Sequence, residues 1–227
     1  MIVVPGPLDA PADRLLRALA ARGVPAPIIA QSLPPGREPV TLAISGGAFV
    51  FDFAGLVASL GERPFRVLLL SRLGAHPDAR APGLKRLWRL EEHVRGGGMP
   101  TLTLRFAPLL GPDAPLWNKL RTRPRLPQGG RMLLNPVFEA DAVETLVRAL
   151  ADPAPWHDWY EVAGPEVWSL AELRDLATAA GRGRDAGAWE PALDELAEHR
   201  LAESAPWASR FGIVPRPLAA GLRERAA

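Results

Sequence analysis

The sequence contains no cysteine. That absence excludes disulfide staples, thiolate zinc sites and cysteine nucleophiles together, and it suits a reducing compartment. Lysine is almost missing as well: Lys85 and Lys119 stand alone among 27 basic residues, the rest being arginine. There is one tyrosine, Tyr160. No apolar run approaches the roughly 20 residues that cross a bilayer. The first apolar run meets Pro5 and Gly6 at once, which excludes a signal-peptide core, so the expected location is the cytoplasm. A net charge of only +2 gives no broad field to attract nucleic acid. The arginine bias, with abundant Ala, Pro and Gly, is the mark of a GC-rich coding sequence.

What is present is enough for a folded core: 227 residues, 48% of them hydrophobic. Ile2–Val4 reads as a buried strand, followed by a helix from about Ala12 to Arg22 with Leu15, Leu16 and Leu19 on one face, stopped by Gly23. "PIIA" is a second strand and Val40–Ser45 a third. A helix through Phe49, Phe53, Leu56, Val57 and Leu60 follows. Phe65–Ser71 is continuously apolar, as a strand buried on both faces is. A helix over Leu84–Arg95 precedes a strand over Thr101–Phe106. Strands alternating with helices of this length predict a parallel α/β sheet.

Beyond residue 107 the texture changes to proline-rich loops. A helix begins near Asp141, with Val143, Leu146, Val147 and Leu150 inward. "WYEVAG" (Trp159–Gly164) is a late strand. Ser169 caps a further helix, with Glu172 completing a capping box. A short amphipathic helix closes "FGIVPRPLAAGLRERAA".

Five stretches, in this order, carry a resemblance: "VLLLSRLGA", "EEHVRGGGMPTLTLRFAPLLGP", "LLNPVFEADAVETLVRAL", "YEVAGPEVWSLAEL" and "GIVPRPLAAGL". Together they resemble the extended or atypical short-chain dehydrogenases/reductases, in particular the NmrA-like proteins and the complex I accessory subunits. The resemblance implies a Rossmann-like, doubly wound parallel sheet with a small C-terminal lobe. It implies a single domain over residues 1–227, with the core sheet in 1–110 and mixed core plus lobe in 111–227.

The departures are as informative. A dinucleotide loop of this family has glycines at three-residue spacing after the first strand, for the turn, for backbone approach to pyrophosphate, and for helix packing. Here Gly6 matches the first position, Asp9 replaces the second and Ala12 the third. Asp9 sets a carboxylate where two phosphates would meet a helix N-terminus. Two unit charges 4 Å apart repel by roughly 1 kcal/mol in water and about 4 kcal/mol near a protein surface. The same carboxylate suits the free helix end, while Pro7 and Pro11 remove amide donors. Between the second strand and Val40 lie only about nine residues, "QSLPPGREP". They are too few for a crossover and another strand, so the sheet is expected to be truncated after its second strand, on the side where the family builds its adenine pocket. Gln31 and Ser32 stand where an acid would hold a ribose, and Arg37 is a lone loop arginine.

The family's chemistry uses a tyrosine four residues ahead of a lysine. Four residues after Tyr160 stands Gly164, and four before the two lysines stand Ala81 and Pro115. Aligning the "EEHVR" helix puts Gly83 and Leu87 at the two catalytic positions. Ser71 falls where the family often places a helper serine or threonine. Glu91, Glu92 and His93 lie beside the former active site, on what is expected to be a solvated face. Asn135-Pro136 falls where relatives line the substrate cleft, and is expected to shape the turn before a helix capped by Asp141. His76, His93, His157 and His199 have no metal-ligand spacing.

Seven tryptophans are present. Trp156, Trp189 and Trp207 lie in proline- or alanine-flanked, loop-like contexts, and tryptophan with arginine typifies interface hot spots. With Arg121, Arg123 and Arg125 they form a candidate partner surface, a purely internal role standing beside it for the three tryptophans. The expectation is therefore a non-catalytic relative with no cofactor and no metal. It would act as a scaffold, accessory or assembly subunit for a protein partner, at most peripheral to the cytoplasmic face of a membrane complex. Two alternatives stand beside it: an NmrA-like NAD(P) sensor, and an enzyme with new chemistry on Glu91 or Glu92.

Overall fold

A computed structural model describes residues 1–4, 10–25, 28–29, 36–45, 53–111, 114–153, 156–180, 193–218 and 220. The expected alternation of strands and helices is present. It runs β1 (Ile2–Val4), α1 (Ala10–Ala20), β2 (Ile28–Ile29), β3 (Val40–Ser45), α2 (Phe53–Leu60), β4 (Phe65–Arg72), α3 (Pro82–Gly96) and β5 (Thr101–Phe106). One six-stranded sheet has the order β2-β1-β3-β4-β5-β9, β9 being His157–Val162. The β2-β1, β1-β3 and β3-β4 pairs are parallel. This is a Rossmann-like sheet, and the reversal of strand order at β1 is its topological switch. Among the described residues β2 is the last strand on its side of β1, as the short connection after Ile29 predicts.

Local chemistry explains the elements. α1 turns Leu15, Leu16 and Leu19 into the core, and Gly23 follows it at φ +76°, the left-handed conformation that ends many helices. β3 is buried at every position and β4 over Val67–Ser71, so both need apolar residues on both faces. Val40, Leu42 and Ile44 pack with Val67, Leu69, Leu90 and Val94.

The later chain holds more structure than its prolines suggest. α4 (Pro115–Arg121) stands where the sequence reads as loop. Its proline occupies the first helical turn, where the missing N–H costs nothing, and Leu116, Trp117 and Leu120 are buried. Two-residue strands follow. β6 (Leu109–Leu110) pairs in parallel with β8 (Val137–Phe138), and β7 (Leu133–Leu134) pairs antiparallel with β10 (Trp168–Ser169). α5 (Glu139–Ala151) begins two residues before Asp141, so Asp141 lies inside the first turn rather than at the cap. α6 (Leu170–Ala179) carries the predicted capping box. The Glu172 N–H donates to Ser169 Oγ at 3.1 Å, and the Ser169 N–H to Glu172 Oε2 at 2.7 Å. α7 (Ala205–Phe211) ends at Gly212, which is left-handed. The closing amphipathic helix lies mostly outside the described residues.

The chain divides into two compact units. The first comprises Met1–Ser71, Ala75–Arg105 and Leu146–Tyr160, and the second Arg72–Gly74, Phe106–Thr145 and Glu161–Ala227. The second unit has its own apolar cluster, built from Trp117, Leu120, Leu134, Phe138, Leu170 and Leu173 among others.

Candidate functional site

In the first unit β4 delivers Ser71 and α3 delivers the positions aligned with the family's tyrosine and lysine. α3 starts at Pro82, with Leu84, Leu87, Glu91 and Val94 inward at spacings of three and four residues. Gly83 and Leu87 are both buried. Leu84 and Leu87 form an apolar cluster with Ala75, Ala79 and Ala81, and Trp88 packs on it. The two positions thus offer no proton donor, no acceptor and no cation.

Ser71 is committed elsewhere. Its Oγ donates to Glu91 Oε1 at 2.6 Å, in the interior. The expectation of a solvated face holds for Glu92 and His93, which are exposed, and fails for Glu91, which is 1% exposed. Arg105 on β5 makes this burial tolerable. Its Nε lies 3.1 Å from each oxygen of Glu91, and its Nη2 also donates to Oε2. A fork of guanidinium donors on a carboxylate is the geometry that offsets desolvation best. Arg95 stands 3.9 Å away and pairs more closely with Glu92. Above Arg105 lies the indole of Trp159, with the guanidinium carbon 4.7 Å from the ring centroid. Helical spacing could have found Glu91, since it falls four residues after Leu87 and three before Val94. Arg105 follows from strand alternation through Thr101 and Thr103.

The turn that follows Ser71 belongs to the second unit. Arg72 Nη1 meets Glu195 Oε2 at 2.6 Å, both side chains being largely buried. Gly74 sits at φ +91°, and a Cβ there would approach Arg200 Nε to 2.6 Å. Arg200 is itself buried and donates to the carbonyl of Glu195 and to Glu198 Oε2. The arginine therefore lies flat on a backbone that only glycine permits.

Asn135 is a tie rather than a cleft wall. Its Nδ2 donates to the carbonyls of Gly164 (3.2 Å) and Ala202 (2.6 Å), and its Oδ1 accepts from the Ala202 N–H at 3.2 Å. Asp141 accepts from the Arg216 N–H at 2.9 Å and faces Arg216 Nε at 3.0 Å. It holds the C-terminal segment instead of capping α5.

Gly6 and Asp9 of the degenerate loop lie outside the described residues, as do Gln31 and Ser32; Ala12 is buried on α1. Trp189 also lies outside them. Of the two roles open to these tryptophans, Trp156 and Trp207 take the internal one. Trp156 is 2% exposed and stacks under Arg66, 3.9 Å from guanidinium carbon to ring centroid. Burial holds the pKa of Arg66 below the ordinary arginine value, partly opposed by Asp152, and the guanidinium donates to the carbonyls of Asp152 and Leu150. Trp207 is fully buried on α7, its indole N–H donating to the Ala163 carbonyl at 3.0 Å. Proline and alanine neighbours give both a loop-like look, yet the large ring decides the burial. Among the described residues the exposed tryptophan is Trp159, at 51%.

Arg121 donates to the Ala180 carbonyl, at the end of α6. Arg123, left-handed at φ +53°, is exposed and lines a cavity of about 450 Å³ with Arg174 and Asp175; Arg125 is exposed. Arg121 closes α4 and reaches the end of α6, where the backbone dipole favours a cation. Among the described residues no three His, Asp or Glu side chains gather as metal ligands, and no helix is long and apolar enough to cross a membrane.

No protein-family model matches the chain, and the search of curated proteins gave no match. Solved structures do match in fold. UDP-glucose 4-epimerase of Thermus thermophilus, in complex with NAD, aligns over 98% of this chain and 96% of its own at 15% identity, with a TM-score of 0.63. The Thermotoga maritima enzyme with UDP-glucose gives 98%, 96%, 12% and 0.62. An NAD-dependent NDP-hexosamine 5,6-dehydratase of tunicamycin biosynthesis gives 98%, 95%, 17% and 0.60. The chain shares the Rossmann-like fold of these structures.

Proposed function

We propose that the chain is a non-catalytic protein on the scaffold of the extended short-chain dehydrogenases, working as a scaffold, accessory or assembly subunit. One observation carries this reading. The positions aligned with the proton-transferring pair are Gly83 and Leu87, both buried, with Leu87 in an apolar cluster, while the serine beside them spends its proton on a buried carboxylate. General acid-base chemistry needs a titratable group within reach of substrate, and these positions supply none. Glu91 is a poor substitute, because Arg105 and Ser71 already occupy both its oxygens.

Asp9, Pro7 and Pro11, together with the short connection before Val40, argue against dinucleotide binding. A client among energy-converting membrane complexes, with the chain peripheral on the cytoplasmic face, follows from family analogy alone. The test is affinity purification from the native host with quantification of what co-purifies. The expected result is a stoichiometric protein partner and no bound nucleotide. Recovery of the chain alone, carrying NAD(P), overturns the proposal.

A second reading is favoured by the structural neighbours, one of which holds NAD and another UDP-glucose. In it the chain senses NAD(P) without reducing anything.

A further inference from the structure

We infer that the cavity between the end of α3 and β9 binds a small aromatic carboxylate. The strand beneath it is polar where it is buried. In "TLTLRF" alternation sets Leu102, Leu104 and Phe106 on one face of β5, and Thr101, Thr103 and Arg105 on the other. The polar face is covered nonetheless, Thr103 being only 5% exposed. Buried polar groups in folded chains have hydrogen-bond partners as a rule. Arg105 has Glu91, and the Thr101 hydroxyl donates to the Met99 carbonyl at 2.9 Å. The Thr103 hydroxyl has no such partner among the described residues. It lines a cavity of about 310 Å³, with Arg95, Met99, His157 and Trp159 around it. These residues all belong to the first unit.

The lining defines the ligand. His157 and Trp159 share one face of β9, and the contact of Trp159 with Arg105 makes it the face that Thr103 also presents. Asp158, which borders the cavity too, alternates to the other face. The cavity is therefore met by a guanidinium, an imidazole, a hydroxyl and an indole. Arg95 pairs with Glu92 at the surface. An exposed pair of this kind contributes little, so the guanidinium fork is available to a carboxylate. Thr103 can donate to the same group, and the indole offers a flat apolar surface for a ring.

Trp159 is also held in advance. Its ring rests on Arg105, which is clamped by the buried Glu91, and a side chain fixed before association loses little freedom. Small-molecule sites begin at about 300 Å³, a size that admits one ring with its carboxylate. Ser71, Gly83 and Leu87 do not line the cavity, so the site is separate from the positions aligned with the family's chemistry.

The test is a heteronuclear NMR titration of the full chain with benzoate, benzamide and acetate. It is read at the indole N–H of Trp159, which Trp159→Phe identifies. Benzoate is expected to shift that signal saturably. Benzamide, which lacks the charge, and acetate, which lacks the ring, are each expected to bind about tenfold more weakly. Arg95→Met is expected to erase the preference for benzoate over benzamide, and Thr103→Val to weaken benzoate severalfold, both with unchanged circular dichroism. No saturable shift with benzoate, benzamide binding as tightly as benzoate, or benzoate binding indifferent to both substitutions each overturns the inference. The site does not depend on the proposed loss of catalysis: nucleotide binding would defeat that proposal and leave this titration untouched.

Discussion

Both units have an apolar cluster, and they differ in what ties their strands. In the first, β3 and the middle of β4 are buried on both faces, and Val, Leu and Ile side chains do the packing. In the second, strands of two residues are tied by buried polar side chains: Asn135 across three segments, Asp141 to Arg216, and Arg200 over Gly74. Apolar packing tolerates a change of shape at a cost that scales with the cavity left. A buried polar tie fails as a whole, because its surviving partner is left without a hydrogen bond. The first unit has polar ties of its own: Arg66, which donates to the carbonyls of Asp152 and Leu150, and the Ser71–Glu91–Arg105 network, a polar island among its apolar side chains.

Breaking that island should have the largest effect. Arg105→Met leaves Glu91 buried and uncompensated, and should lower unfolding stability by about 3–5 kcal/mol in denaturant titration. Glu91→Leu/Arg105→Met should recover most of the loss, since removing both charges is nearly neutral. If the double variant is as unstable as the single one, the network does more than neutralise itself. Next comes Gly164→Ala in the second unit. A Cβ there would stand 2.0 Å from the Pro136 carbonyl oxygen, a clash expected to cost about 1–3 kcal/mol. The same substitution at Gly23, where nothing lies within 4 Å, meets only its left-handed backbone and should cost about 1 kcal/mol.

The smallest effect belongs to the cap. Ser169→Ala should destabilise by about 1 kcal/mol. Hydrogen bonds from the Ser169 hydroxyl, then from its backbone, hold the Glu172 carboxyl below its usual range. A carboxyl lowered on folding stabilises above its unfolded pKa and loses that contribution as pH falls through the folded one. The difference between wild type and Ser169→Ala should therefore shrink as the solution is acidified below the ordinary glutamate range, in thermal melts at a series of pH values.

The contrast between the units also sorts what is legible in the sequence. Val40–Ser45 and Thr101–Phe106 are found with their predicted bounds, because continuous apolar or alternating runs leave one physical solution. The capping box is equally local. α4 escapes a reading of the sequence because Pro115 looks like a breaker until its place in the first turn is known. Glu91 reads as solvated when charge outweighs position, although its spacing from Leu87 and Val94 puts it inward. Its partner Arg105 is 14 residues away, and such pairings are set by the sheet, not by neighbours in sequence. For Trp156 and Trp207 the sequence leaves an internal and a surface role open, because the groups they meet, Arg66 and the Ala163 carbonyl, are distant in the chain.

That the scaffold has outlived its coenzyme chemistry is tested most directly by isothermal titration of the purified chain with NADH and NADPH. The expected result is no saturable heat at concentrations up to about 1 mM; binding with a micromolar dissociation constant for either nucleotide would contradict it.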